Sequence, residues 1–126
     1  MENIYVGHSR DFDYVGNLYT PLRKSRLNKY FNLILPHENS DEPFSSKDFF
    51  KTCRYMIAEV SSPATGLGIE LGWADVCNVD IICIYRKGSR PSTSLNTISN
   101  AFIEYENEKD LIDKLESLIL TYYKPI

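Results

Sequence analysis

Tyr55-Met56-Ile57-Ala58-Glu59-Val60-Ser61-Ser62-Pro63-Ala64-Thr65-Gly66-Leu67-Gly68-Ile69-Glu70-Leu71-Gly72-Trp73-Ala74-Asp75-Val76 is the stretch on which the rest of the reading turns. It opens with an apolar, partly β-branched run of strand length, Tyr55 to Val60. The run breaks at Ser61, Ser62 and Pro63, and a helical pattern resumes from about Thr65. There Leu67, Leu71 and Ala74 recur at i, i+4 and i+7, the spacing of one buried helix face. Gly66 and Gly68 fall at the turn, where a missing Cβ lets a backbone or a ligand come close. The first N–H groups of such a helix have no partner within it and carry the positive end of its dipole. Glu70 projects from the early turns, beside the mouth of the strand. A plainer reading exists for each part: acidic residues near helix starts complement the dipole, and Ser or Thr before a helix serve as caps.

Outward from this block the whole chain reads as strands alternating with helices. Asn3 to Val6 is a strand ending in the loop Gly7-His8-Ser9-Arg10. Val15, Leu18, Tyr19, Leu22 and Leu27 predict an amphipathic helix between about Phe12 and Leu27, with a kink or late start at Pro21. Phe31 to Leu35 is the second strand, and Pro36 to Ser40 the loop after it. A short helix from about Ser46 to Cys53 leads into the third strand. Asp80 to Tyr85 is a near-continuous apolar run, as in a strand covered on both faces. Arg86 to Thr97 is a basic, Ser-rich loop, Ala101 to Tyr105 a fifth strand, and Glu106 to Tyr123 a closing helix.

That alternation predicts a single α/β domain over residues 1–126, flavodoxin-like or Rossmann-like. Its five-stranded parallel sheet has the order 2-1-3-4-5, with helices on both faces. In that order a crevice opens at the carboxyl ends of strands 1 and 3, where ligands bind. The two loops that fall there, Gly7 to Arg10 and Ser61 to Gly68, are also the two most site-like loops in the sequence.

Composition narrows the function. With 126 residues, 43% hydrophobic and 25% charged, the chain can build a core of its own. No apolar run approaches a membrane span, and Met1 passes directly into Ile4-Tyr5-Val6, so no signal peptide is expected. A net charge of −3 lacks the basic stripe of a nucleic-acid binder. Cys53, Cys77 and Cys83 are odd in number, lack metal-ligand spacing and lie in apolar runs, so buried free thiols in a reducing cytoplasm are expected. Neither His8 nor His37 has partners at metal-ligand spacing. The expectation is a cytoplasmic protein with a small-molecule or protein partner and with no metal or cofactor.

Ala58 to Ala74, in the form Ala-Glu-Val-Ser-Ser-Pro-Ala-Thr-Gly-Leu-Gly-Ile-Glu-Leu-Gly-Trp-Ala, resembles the signature of the nucleoside 2-deoxyribosyltransferase family. The resemblance is to the branch that includes the 2′-deoxynucleoside 5′-monophosphate N-hydrolases, and the opening Ile4-Tyr5-Val6-Gly7 is similar to that family's first strand. It implies cleavage of an N-glycosidic bond, or deoxyribosyl transfer, on a nucleoside or its 5′-monophosphate, through a covalent intermediate on Glu70. A carboxylate beneath an oxocarbenium-like carbon stabilises charge before bonding to it.

The same resemblance makes Tyr5 the residue that orients Glu70. It puts Gly7, His8, Ser9 and Arg10 where the sugar or its phosphate is held, with Ser61, Ser62, Pro63, Thr65, Gly66 and Gly68 in the facing turn. His37 would face the base or a proton in flight, and Ser94 would reach the site of a neighbouring copy in a homodimer or larger assembly. Three departures stand out. His8 and Ala64 occupy places where that branch carries serines. The family's second acid falls on Ser46, which leaves Asp48, two residues on, as the nearest carboxylate. Arg54 also stands where relatives carry an aspartate. The alternative is a nucleotide-binding sensor that kept the pocket and lost turnover; a domain of this fold that binds only other proteins is a third reading.

Overall fold

The computed structural model describes residues 1–42 and 47–122. Five parallel strands, β1 (Asn3–His8), β2 (Asn32–Ile34), β3 (Cys53–Glu59), β4 (Asp80–Arg86) and β5 (Ala101–Tyr105), form one sheet in the order β2-β1-β3-β4-β5. This is the expected order. The helices are α1 (Thr20–Lys24), α2 (Leu27–Tyr30), α3 (Thr65–Val76) and α4 (Glu108–Tyr122).

Strand alternation sends successive side chains to opposite layers. Ile4 and Val6, Ile57, and Ile82 and Ile84 face one layer, closed by Leu18, Leu22, Leu27 and the α4 residues Leu111, Leu115 and Ile119. Tyr5, Met56 and Ala58, Ile81 and Cys83 face the other, closed by Phe50 and the α3 residues Leu67, Leu71 and Ala74. The i, i+4, i+7 face read from the sequence is therefore the buried face of α3. Burial on both sides explains why β4 reads as an unbroken apolar run.

The region from Phe12 to Leu27 differs from the single helix expected. It is a π-helical turn (Val15–Tyr19), then α1, then α2. Pro21 is the cause: it has no N–H to donate to the carbonyl four residues back. The chain widens just before it, and the Thr20 N–H bonds to the Val15 carbonyl instead. Extended Ser25 (ψ 164°) separates α1 from α2. The expected short helix before β3 is a 3-10 turn, Lys47–Thr52; Ser46 lies outside the described residues.

Candidate active site

β1 and β3 lie side by side, with Gly7 opposite Ala58 and His8 opposite Glu59. The connection from β1 returns through β2 on one side, while β3 leads through α3 to β4 on the other. The carboxyl ends of β1 and β3 therefore open into a cavity of about 560 Å³. One wall is the loop after β1, with His8, Ser9, Arg10 and Asp11. A second is the start of α3, with Pro63, Ala64, Thr65 and Gly66, then Ile69, Glu70 and Trp73 further along. His37 contributes from the loop after β2.

Glu70 sits in the second turn of α3, half-buried, and accepts a short hydrogen bond from the Tyr5 hydroxyl through Oε2. Tyr5 is fully buried on β1, its ring packed edge-on against Phe50 at 4.8 Å. Burial, followed by the neighbouring Glu70 charge, holds the Tyr5 phenol far above its ordinary value, so it acts as a donor. Burial also raises the Glu70 carboxyl, and the bond from Tyr5 offsets part of that rise. Gly7 is needed where β1 passes α3. A Cβ there would stand 2.7 Å from Met56 Cε, 2.9 Å from Leu67 Cδ1 and 3.6 Å from Glu70 Oε1. The absence of a side chain is what lets the helix carry Glu70 against the strand.

The start of α3 is uncapped. Ala64 has no side-chain oxygen to offer, and the first turn has no acidic residue. The first intrahelical bond runs from the Gly68 N–H to the Ala64 carbonyl. The N–H groups of Thr65, Gly66 and Leu67 precede it, at the positive end of the helix dipole.

On the other wall His8 is buried and held at both nitrogens: Nδ1 lies 2.8 Å from the Ser9 carbonyl and Nε2 2.7 Å from the Tyr19 hydroxyl. A carbonyl only accepts, so Nδ1 carries the proton and Nε2 accepts from Tyr19. Burial lowers the pKa of His8, in keeping with a neutral ring, which stacks on Tyr14 at 4.3 Å. The Tyr19 oxygen in turn accepts the His37 N–H at 3.1 Å. One phenol thus joins β1 to the loop carrying His37, and the π-helical turn aims it there. Tyr19→Phe strands both the His8 acceptor and the His37 N–H, and is expected to cost about 1–3 kcal/mol in urea unfolding. An unchanged midpoint would show that the link carries no load.

Arg10 donates to the Asp41 carbonyl at 2.5 Å and lies against the His37 ring, 3.2 Å from Nδ1. The chain thus gathers Glu70, Tyr5, Gly7, His8, Ser9, Arg10, His37, Pro63, Thr65 and Gly66 at one place.

Other expected residues stand elsewhere. Asp48 is the main correction. It lies on the 3-10 turn with its side chain 80% exposed and paired with Lys51 at 3.3 Å, away from the cavity lining. The phase of that turn is set by Phe50, which is fully buried beneath Tyr5, and this turns Asp48 outward. Ser61 faces away as well: its N–H (2.7 Å) and hydroxyl (3.1 Å) both donate to Glu59. Ser62, Gly68 and Ser94 line a separate groove of about 330 Å³ on the other side of α3, which Pro63 shares. Arg54, noted for its departure from relatives, forms a surface pair with Asp80 at 2.6 Å.

Sequence reasoning missed Asp11, which directly follows Arg10 and could have been read with it. It also passed over Glu59, a carboxylate inside an otherwise apolar strand. Glu59 is 2% exposed. It accepts from Ser61 and from the Tyr105 hydroxyl, beside which lies the Arg86 guanidinium. Arg86 also donates its backbone N–H to Ser61 Oγ at 2.9 Å. This network pins the turn before α3 to the ends of β4 and β5. Among the described residues no group of His, Cys, Asp and Glu could hold a metal ion, and no helix is long and apolar enough to cross a membrane.

A five-stranded parallel sheet in this order, with a cavity at its switch point, defines a flavodoxin-like α/β domain. Among solved structures the chain is similar to the CMP N-glycosidase BcmB of Clostridium botulinum, at 23% identity and a TM-score of 0.62, covering 91% of this chain and 99% of that one. The two share a fold. No protein-family model and no curated protein sequence matches the chain.

Proposed function

We propose that this chain cleaves the N-glycosidic bond of a nucleoside 5′-monophosphate or nucleoside, through a glycosyl intermediate on Glu70. The observation that carries the reading is the Tyr5–Glu70 pair, a half-buried carboxylate oriented by a buried phenol beside a cavity of nucleotide size. The similarity to a CMP N-glycosidase and the Ala58–Ala74 motif support the same chemistry. In the first step Glu70 bonds to C1′ while the bond to the base breaks, its electron pair leaving with the base nitrogen. Water then attacks C1′, and the ester electrons return to Glu70. The uncapped start of α3 and the Arg10 guanidinium favour an anionic 5′ group over a hydroxyl. Transfer to a second base follows the same first step.

The test is incubation with CMP, dCMP and the other common ribo- and deoxyribonucleotides and their nucleosides, with chromatographic detection of free base. A second reading, a nucleotide sensor without turnover, draws on the outward position of Asp48, which leaves no acid from that turn in the cavity. Thermal stabilisation by these compounds without base release would favour it. A homodimer belongs to the proposal too, since Ser94 lies at a groove next to the site rather than inside it.

The pH dependence follows from the carboxylate. The nucleophile must be ionised, and burial holds the Glu70 carboxyl above the usual glutamate range. The acid limb of kcat/KM is therefore expected at higher pH than an ordinary carboxylate gives. The Tyr5 bond works against that rise, so Tyr5→Phe should move the limb further up. A limb that stayed in place, or moved to lower pH, would remove the phenol from control of Glu70.

A further inference from the structure

We infer that Asp11 is the general base of the hydrolytic step, taking the proton from the water that releases the sugar from Glu70. This rests on the reading above. The cavity is lined by two carboxylates, Glu70 on the α3 wall and Asp11 on the wall formed by the loop after β1. A reaction that passes through a glycosyl ester needs two carboxylates with different duties, one to bond carbon and one to handle protons. Glu70 is committed to the first by its environment. The other titratable side chains of the cavity are committed elsewhere: His8 to Ser9 and Tyr19, Arg10 to Asp41 and the His37 ring, and His37 to Arg10 and the Ser40 carbonyl.

Asp11 differs from all of these. Its backbone N–H is held by Ser9 Oγ at 3.0 Å, which fixes the loop, while its carboxylate takes no hydrogen bond or ion pair among the described residues. Its carboxylate oxygens remain available to accept a proton. The chain also limits how far it can stand from the reacting end. Asp11 lies four residues beyond Gly7, where a Cβ would stand 3.6 Å from Glu70 Oε1, and a chain of that length reaches at most about 14 Å. In the step assigned to it, the water oxygen bonds to C1′ and the water proton passes to Asp11. The ester bond breaks, and its electron pair restores the Glu70 carboxylate. Asp11 would do for this chain what the outward-facing Asp48 cannot.

The test compares Asp11→Asn with the wild-type chain on whichever nucleotide the wild type cleaves. Wild type that releases base from none of them overturns the glycosidase reading itself. Where the wild type is active, the variant is expected to turn over about 10²–10⁴-fold more slowly, the usual loss on removing a general base. Intact-mass measurement should find protein carrying one sugar at Glu70, and added azide should restore turnover as the glycosyl azide, because an anionic nucleophile needs no base. An Asp11→Asn chain with wild-type turnover, or one slowed with neither a trapped sugar nor azide rescue, overturns the assignment. Since Asp11 is exposed and Asn is isosteric, an unchanged melting temperature accompanies the expected result.

Discussion

Glu70→Gln is expected to lower base release by about 10⁴–10⁶-fold, the scale of loss when a covalent nucleophile is removed from an enzyme that depends on it. The substitution keeps an oxygen able to accept from Tyr5, so the packing around β1 and α3 is retained. Its effect on stability should run the other way. The Glu70 carboxyl is raised in the folded chain. The stability it contributes is therefore complete below the ordinary carboxylate pKa and is lost as pH rises through the raised value. Above that value the wild type carries the cost of a half-buried charge, and the glutamine variant does not. Glu70→Gln should then melt at or above the wild-type temperature near pH 8, and lose that advantage in acid. Thermal melts at the two pH values, beside the base-release assay, check both halves. Residual turnover close to wild type would end the role assigned to Glu70.

Glu59→Ala is expected to damage the fold away from the cavity, costing about 3–5 kcal/mol in urea unfolding. The side chain is 2% exposed and accepts from the Ser61 N–H, the Ser61 hydroxyl and the Tyr105 hydroxyl. Removing it strands the buried Tyr105 hydroxyl and two part-buried Ser61 donors at once, a buried donor costing about 1–3 kcal/mol when left unpaired and a part-buried one less. Asn17 extends the network: its amide lies between the Arg86 guanidinium and the Glu108 carboxylate, where an amide oriented with its oxygen toward Arg86 satisfies both. Tyr105→Phe removes one donor and leaves the carboxylate its two bonds from Ser61, so it should cost less. A Glu59→Ala loss below about 1 kcal/mol would mean that the network is satisfied some other way. Because Ser61 opens the turn into α3, this variant should also weaken nucleotide binding, although Glu59 itself faces the α4 layer.

The sheet was legible because its signals are local and repeated. Apolar runs of strand length at Ile4, Ile57 and Ile82 alternate with helical spacing, and that alternation leaves little choice of order. The Glu70 wall was legible for the same reason, since strand, turn and helix are contiguous in the chain. The helix expected between Phe12 and Leu27 failed at Pro21: periodicity located the buried leucines but carried no sign of the wider turn that aims Tyr19 at His8. Asp48 failed because one residue of phase in a short turn is decided by which phenylalanine finds room beneath Tyr5. Glu59 and Tyr105 are 46 residues apart, and their pairing exists only once β3 and β5 lie in one sheet. Asp11 had a local signal, its place next to Arg10, and went unread.

Tyr5 and Glu70 are separated by 65 residues, and the strands that bring them together share an edge only after the chain has crossed from β2 back past β1 to lay down β3. No fragment ending short of α3 can assemble the pocket, so occupancy by the proposed nucleotide reports that β1, β3 and α3 have come together. A ligand that binds only this finished arrangement drains the unfolded population by mass action, adding about 2.7 kcal/mol at a hundredfold excess over its Kd. On the proposed function, substrate supply and resistance to proteolysis become one variable.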